Sequence, residues 1–365
     1  MDEVQLTREL VRINSENPPG NEKGIAKYVF DFLDDLKCPV ELVKFGDKRF
    51  DVISSNGKGN GLMLNSHIDT VPIGRLENWK YDPFSGKIIN GKIYGRGSCD
   101  SKCNVAVILS AVKKFAKQSF KRKLLITLVG DEEVGFRGSN YLIENRKNLF
   151  KDVGYGVISD SDLKIRIAQK GVLHLRFIFK GKAAHGSKPE LGSNAIAKAT
   201  EFIQEINRST KKLTSEEDPL LGRGTINIGT ISGGTKVNIV PDYCVVGVDR
   251  RLTYGETPSY AVAQFKKILK KLKLEAKIEF DNVPKEAVKV AENSEIVKIL
   301  QNIGNLVGKS SGYTEMELYY RKLGIECVAL GASNDTAHSD NEYVKIDDLR
   351  KSKYIFENLI KKWCL

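Results

Sequence analysis

The sequence of 365 residues has few cysteines and no long hydrophobic run. Its longest apolar segments, such as residues 123–129, are far shorter than the ~20 residues that a membrane-spanning helix needs. Residues 1–8 are acidic and then amphipathic, and they lack the basic start and apolar stretch of a secretory signal. These absences predict a cytoplasmic protein without a membrane partner.

The six cysteines are spread along the chain, and none belongs to a Cys-x-x-Cys pair. A disulfide framework is denser than this, and zinc sites built from cysteines usually contain such pairs. Cys99 and Cys103 flank Asp100 and could bind a metal, but no second cysteine pair accompanies them. We interpret the cysteines as reduced packing residues.

Positive charge is in excess, with 58 Lys and Arg against 46 Asp and Glu and a net charge of +12. Such an excess is found in nucleic-acid binders, in membrane-surface proteins, in enzymes of anionic substrates, and on ordinary lysine-rich surfaces. The basic run 265–273 puts apolar residues on one helical face and lysines on the other, which is typical of a solvated helix. No basic run contains interleaved aromatics, so we expect an anionic substrate and no nucleic acid.

The pattern of the first half of the chain predicts an α/β fold. Helix-like and strand-like segments alternate up to about residue 159, with strands at about 61–66, 123–129 and 154–159. Strands separated by helices imply a mostly parallel sheet with helices on its faces.

From residue 171 the order changes to βαββαβ, which is a ferredoxin-like arrangement that can form its own domain. After a break at Pro284, helices and a strand at 325–331 follow. We therefore expect a catalytic domain of residues 1–170 and 284–365, interrupted by an inserted ferredoxin-like domain of residues 171–283.

Acids and histidines follow the predicted strands of the first domain. Because the carboxyl ends of parallel strands meet at one edge of a sheet, we expect these side chains to converge. The set contains His67, Asp69, Asp100, Asp131, Glu132, Glu133, Asp160, Asp162 and His338.

Two histidines among several carboxylates suit zinc, cobalt or manganese, and more than three candidate ligands favour two ions. In a two-metal hydrolase a shared carboxylate bridges the ions and a second carboxylate accepts a proton from water. The adjacent Glu132 and Glu133 can divide these tasks, with one binding metal and the other facing the water.

These residues lie in motifs that resemble the M20 metallopeptidase family, which includes acetylornithine deacetylase, succinyl-diaminopimelate desuccinylase, aminoacylase and glutamate carboxypeptidase. The motifs cover nearly the whole chain in the order found in the family. They are Ser66-His-Ile-Asp-Thr-Val-Pro72, Tyr94-Gly-Arg-Gly-Ser-Cys-Asp100, Asp131-Glu-Glu-Val-Gly135, Gly181-Lys-Ala-Ala-His185 and Ala337-His338.

The resemblance implies a metal centre with two divalent ions, zinc first and cobalt or manganese as alternatives. Asp100 would bridge the ions. His67 and Asp160 would hold one ion, and Glu133 and His338 would hold the other. Glu132 would be the general base. Asp69 would be the carboxylate that orients the His67 ring.

The resemblance also assigns roles to the inserted domain, which would act as a lid and join two chains into a homodimer. From it, His185 would reach the site of a neighbouring subunit and stabilise the oxyanion of the reaction. Asn238 and Arg251 match substrate-binding positions, and Arg251 is suited to clamp a carboxylate. His174, within an apolar strand, is interpreted as structural.

Two departures from the family leave alternatives open. The segment Ser159-Asp160-Ser161 is one residue shorter than usual, so Asp162 is an alternative to Asp160 as ligand. The late segment Gly312-Tyr-Thr-Glu315 differs near the expected substrate pocket, so the specificity of no single member can be copied.

Among the family's activities we favour removal of a succinyl or acetyl group from a small anionic amino acid, as in amino-acid biosynthesis. The alternative within enzymes is a dipeptidase or metallocarboxypeptidase. The alternative from another class is a non-catalytic relative that keeps the fold as a binding protein.

Overall fold

The computed structural model describes residues 1–214, 217–310 and 312–365. Its helices are α1 (Glu3–Val11), α2 (Lys23–Asp35), α3 (Lys102–Phe115), α4 (Arg137–Asn145), α5 (Ala195–Leu213), α6 (Pro258–Leu272), α7 (Glu295–Ile303), α8 (Met316–Leu323) and α9 (Ile346–Cys364). Its strands are β1 (Val40–Gly46), β2 (Arg49–Asn56), β3 (Gly61–His67), β4 (Lys87–Ile89), β5 (Lys92–Tyr94), β6 (Leu124–Val129), β7 (Val153–Ile158), β8 (Ala168–Gln169), β9 (Gly171–Lys180), β10 (Glu217–Asp218), β11 (Gly222–Arg223), β12 (Thr225–Gly233), β13 (Tyr243–Leu252), β14 (Ala276–Phe280), β15 (Val288–Lys289), β16 (Glu326–Ala329) and β17 (Tyr343–Lys345). Among the described residues, no helix combines the length and apolarity needed to cross a membrane.

The chain forms two compact units. Unit 1 comprises Met1–Ile167, Val290–Gly308 and Thr314–Leu365, and unit 2 comprises Ala168–Lys289 and Lys309–Tyr313. The short strands β8 and β15 pair with each other antiparallel. This pairing joins the two ends of the inserted segment. The long part of unit 2 therefore begins a few residues before the predicted start at residue 171 and ends a few residues after the predicted end at residue 283.

The central sheet of unit 1 has the strand order β1-β2-β6-β3-β7-β16. Strands β6, β3, β7 and β16 run parallel to one another, and the hairpin of β1 and β2 adds an antiparallel edge through the pairing of β2 with β6. Every residue of β3 and β6 is buried, as expected for strands covered on both faces. The prediction of a mostly parallel α/β fold is confirmed.

Helix α3 shows why the helices of unit 1 form where they do. The apolar stripe that includes Val105, Ile108 and Val112 is buried, and α3 packs against α1 and α9. Burial of such a stripe supplies more of the stability of a helix than intrinsic propensity does.

Unit 2 contains an antiparallel sheet of order β12-β13-β9-β14, packed against α5 and α6. Its core includes a cluster of Phe177, Phe202 and Phe265, with ring centroids 4.7 to 6.4 Å apart. The side chains of Asn194 and Thr257 cap the two helices by accepting backbone N–H groups. The succession of these elements is βαββαβ.

A small sheet of order β17-β5-β4 was not predicted. Each of its strands has three residues, which is too short to show an alternating pattern. The pairing of β17 with β5 brings the segment after His338 beside the segment before Asp100.

Candidate functional site

Three neighbouring parallel strands of unit 1 deliver acids and a histidine to one edge of the sheet. His67 is the last residue of β3, β6 ends just before the turn that carries Glu132 and Glu133, and β7 ends just before Asp160. The loops that carry Asp100 and His338 meet the same edge. The predicted convergence at the carboxyl ends of the strands is therefore present.

Asp100 lies between two groups of potential ligands. His67 Nε2 is 2.9 Å from Asp100 Oδ1 and 3.9 Å from Asp160 Oδ1. His338 Nε2 is 3.1 Å from Asp100 Oδ2 and 3.0 Å from Glu133 Oε2. The two oxygens of one carboxylate thus face two different groups, each of which could hold a metal ion.

Several carboxyl groups are crowded and buried at this edge of the sheet. Burial raises the pKa of Glu132 well above its usual range, and the charges of Asp160 and Glu133 add to that effect. Burial likewise raises the pKa of Asp160, assisted by the charge of Asp100. Cations bound between carboxylates crowded in this way would favour their ionisation.

For Asp100 and His338, in contrast, hydrogen bonds shift the pKa in the direction that favours the charged form. Burial opposes ionisation of Asp100, but hydrogen bonds with His338 and His67 hold its pKa well below its usual range. Hydrogen bonds to Asp100 and Glu133 raise the pKa of His338 to about 10. His338 also has a φ of 63°, a left-handed conformation that is uncommon for residues other than glycine. The ring is held against the two carboxylates by a backbone that is locally strained.

Asp69 contacts both His67 and the glutamate turn. The Nδ1 atom of His67 is 3.0 Å from the backbone oxygen of Asp69 and 3.5 Å from its Oδ1. The Asp69 carboxylate accepts the backbone N–H groups of Glu132 at 3.2 Å and Glu133 at 3.3 Å. Its side chain therefore orients the glutamate turn as directly as it orients the histidine.

Sequence reasoning missed a buried network behind this turn. Asn17 Nδ2 donates to Asp69 at 2.9 Å and to Asp131 at 3.1 Å. Arg49 donates to Asp131 at 2.6 Å and pairs with Glu22. Asp131 has a φ of 69°, so the network holds the start of the turn in an unusual conformation. No motif or spacing pointed to Asn17 or Arg49.

The alternative ligands, Asp162 and the two cysteines near Asp100, have other partners. Asp162 forms a two-pronged ion pair with Arg166, and Asp160 is the aspartate of this segment that lies beside His67. Among the described residues, Cys99 and Cys103 belong to neither ligand group. Their thiols donate to backbone oxygens, and burial raises the pKa of both. These cysteines pack as neutral thiols.

In unit 2, the segments that carry His185 and Asn238 are neighbours. The N–H of Gly186 donates to the backbone oxygen of Asn238 at 2.8 Å, and both His185 and Asn238 are exposed. The backbone N–H of Ser187 donates to His185 Nδ1 at 3.2 Å. Ser187 Oγ is 2.8 Å from the same atom, so Ser187 can donate to Nδ1 from its backbone and from its hydroxyl, which favours the tautomer with its proton on Nε2.

Arg251 is already paired within its own strand. Its Nε and Nη2 atoms donate to the Asp249 carboxylate at 2.9 to 3.1 Å. His174 Nε2 is 3.8 Å from the same carboxylate, which fits the structural interpretation of that histidine. A carboxylate of a substrate would therefore share Arg251 with Asp249 or displace it.

A family model and a named relative both match most of this chain. The model of peptidase family M20/M25/M40 matches residues 63–362. A succinyl-diaminopimelate desuccinylase from Wigglesworthia glossinidia brevipalpis is 28% identical over 381 residues, which cover 99% of this chain and 99% of that protein.

Two solved structures share the fold. An M20 family metallo-carboxypeptidase from Sulfolobus solfataricus has a TM-score of 0.83 at 23% identity, covering 100% of this chain and 99% of that one. A dinuclear metal binding peptidase of the M20 family from Bacillus subtilis has a TM-score of 0.72 at 16% identity, covering 99% and 97%. The family match spans most of the chain and includes both groups of potential ligands, and the chain belongs to peptidase family M20/M25/M40, a family of metallohydrolases.

Proposed function

We propose that this chain is a two-metal amide hydrolase that removes a succinyl or acetyl group from a small anionic amino acid. The observation that carries the proposal is the position of Asp100, whose two carboxylate oxygens face two separate groups of potential ligands. One acid shared between two such groups is suited to a pair of divalent ions.

The residues fit two ions of the zinc, cobalt or manganese type. His67 and Asp160 would hold one ion, Glu133 and His338 would hold the other, and Asp100 would contribute to both sites. All the donor atoms are nitrogen or oxygen, which suits these metals, and zinc is the first expectation. Burial raises the pKa of Glu133 and Asp160, and bound cations would favour the ionised form of both carboxylates.

The ions, when bound, would polarise the amide carbonyl and lower the pKa of a water molecule. Glu132 accepts the proton of the attacking water and returns it to the nitrogen of the leaving amine. Burial raises the pKa of Glu132, and a raised pKa makes a carboxylate a stronger proton acceptor. Asp69 keeps Glu132 in place through the backbone hydrogen bond to that residue.

Unit 2 supplies the remaining groups of the proposal. His185 donates from Nε2 to the oxyanion that forms at the amide carbon, a role that the hydrogen bond from Ser187 to Nδ1 supports. Asn238 and Arg251 bind the substrate, with Arg251 recognising its carboxylate. We further propose that unit 2 acts as a lid and dimerisation domain, and that His185 serves the site of the partner chain in a homodimer.

Similarity to a succinyl-diaminopimelate desuccinylase along the full length supports a deacylase with an anionic substrate. The net charge of +12 would attract such a substrate to the protein. The six cysteines are unpaired, which favours a reducing compartment such as the cytoplasm.

The experiment combines elemental analysis with a panel of substrates. The protein, reconstituted with zinc, cobalt or manganese, is given N-succinyl-diaminopimelate, N-acetylornithine and simple dipeptides. We expect about two ions per chain and faster hydrolysis of an N-acyl amino acid than of any dipeptide.

Preference for dipeptides, with the same metal content, would replace the deacylase by a peptidase. Absence of both metal and turnover after reconstitution would contradict the hydrolase and leave a binding protein.

A further inference from the structure

The side chain of Glu342 is fully buried in unit 1 and is hydrogen-bonded to the 95–100 loop, which ends at Asp100. Its Oε1 accepts the backbone N–H of Cys99 at 2.7 Å and of Asp100 at 3.0 Å. Its Oε2 accepts the N–H of Gly97 at 3.1 Å and Nη1 of Arg96 at 2.7 Å. Four donors from this one loop therefore converge on one carboxylate.

The side chains of Arg96 and Glu342 join the 95–100 loop to the segment that carries His338. Glu342 and His338 belong to one connection between β16 and β17. Arg96, from the 95–100 loop, donates to the backbone oxygen of Ser339 at 3.2 Å. Strand β17 begins directly after Glu342 and pairs with β5, which ends directly before the 95–100 loop. Two candidate ligands thus lie on segments that one buried ion pair keeps in register.

We propose that Glu342 is a positioning residue that sets the spacing of the two ion sites through Asp100 and His338. This inference rests on the proposed function. A ligand shared by two ions affects both when it moves, so the residue that fixes its backbone controls both sites. Partners outside the direct ligands typically change metal affinity by about 10- to 100-fold.

Glu342→Gln is a conservative probe because the side chain keeps its size. In either orientation of the amide, its NH2 group faces two of the four donors and cannot accept from them. The change therefore removes the acceptor either of the N–H groups of Cys99 and Asp100 or of the Gly97 N–H, and in the second case Arg96 also loses its bond to residue 342. Buried donors left in this way force the loop to move.

The matched control is Glu256→Gln in unit 2. Glu256 is also a buried carboxylate, paired with the buried Arg250, and it accepts a backbone N–H from Thr253 at 2.8 Å. The control loses the same kind of ion pair and backbone hydrogen bond, but it lies in the other unit of the chain. It separates a general loss of stability from a specific effect on the ion sites.

Two measurements are made on wild type and both variants. Zinc affinity is measured by competition with a chelator of known affinity. Amide hydrogen exchange of residues 97–100 is measured in the metal-free protein. For Glu342→Gln we expect zinc affinity to fall about 10- to 100-fold and these amides to exchange faster. For Glu256→Gln we expect wild-type zinc affinity and wild-type exchange at residues 97–100.

Wild-type zinc affinity in a folded Glu342→Gln variant would overturn the inference and leave the proposed function intact. An equal loss of affinity in Glu256→Gln would also overturn it, because global destabilisation would then explain both. Absence of zinc binding by the wild type would instead contradict the proposed function, and the inference with it.

Discussion

The candidate residues of the two units differ in what surrounds them. In unit 1 the His67 side chain is 1% exposed and Asp69 is fully buried, and both are hydrogen-bonded to neighbouring groups. In unit 2 His185 and Asn238 are exposed to solvent. Arg251 is half-buried and paired with a carboxylate of its own strand.

This difference indicates two kinds of site. Apart from His338, whose side chain is 56% exposed, the groups of unit 1 are preorganised by buried hydrogen bonds, so their geometry exists before any ligand arrives. The exposed groups of unit 2 are surrounded by water, so their hydrogen bonds and ion pairs gain strength only when a bound substrate displaces that water. We expect changes in unit 1 to alter metal binding or the chemical step, and changes in unit 2 to leave metal binding unaltered.

The largest effect is expected at the glutamate turn of unit 1. Glu132→Ala should lower kcat by about 10²- to 10⁴-fold with both ions retained, because it removes the base and no ligand. Glu133→Ala and His338→Ala should lower metal content as well. Steady-state kinetics and elemental analysis of the three variants check this, and equal metal loss in all three would contradict the division of roles.

A smaller effect is expected at His185 in unit 2. His185→Ala should lower kcat by about 10²- to 10³-fold, the typical effect of removing one oxyanion donor, with metal content unchanged.

Mixing the His185→Ala and Glu132→Ala chains then tests whether His185 acts on the partner's site. Mixed dimers should regain activity, since one of their two sites has both residues. No recovery in a verified mixed dimer would place His185 in its own subunit's site.

The effect at Arg251 should be smaller still and should appear mainly in KM. A lysine keeps the charge but loses the two-pronged geometry, so Arg251→Lys should raise KM for an anionic substrate by about tenfold. Rates measured with a neutral analogue of the same acyl amino acid provide the control. A fall in kcat with unchanged KM would show that Arg251 does not bind the ground-state substrate.

The smallest effect is expected at His174, which lies in unit 2 and faces Asp249. His174→Ala should leave turnover within about twofold and change the free energy of unfolding by less than ~0.5 kcal/mol, as for an ordinary surface site. Thermal unfolding and the standard assay test this. A large loss of activity would contradict the structural interpretation of His174.

The grouping of ligands could be predicted from the sequence because it depends on a local rule. His67, Asp160 and the glutamate turn each follow a strand directly, and parallel strands bring their carboxyl ends together. Long periodic segments, such as the stripe of α3, were predictable for a similar reason. Short strands such as β4, β5 and β17 have no such signal.

The residues that support the ligands could not be predicted in this way. Asn17 and Asp131 are 114 residues apart, and Glu342 and Asp100 are 242 residues apart. A buried polar contact over such a distance leaves no periodicity or spacing in the sequence. An isolated Asn or Glu in a sequence is usually a surface residue, so composition does not single out these two.

The insertion of unit 2 affects the order in which the parts of the protein can fold during translation. Strand β16 pairs with β7 across the whole inserted segment, so the central sheet is incomplete until the last part of the chain has been made. Most of unit 2 is continuous in sequence and can fold first. Pairing of distant parallel strands is slow, and His338 arrives only with this late segment. We therefore expect metal to be acquired after translation, and chains truncated before His338 to lack the complete centre.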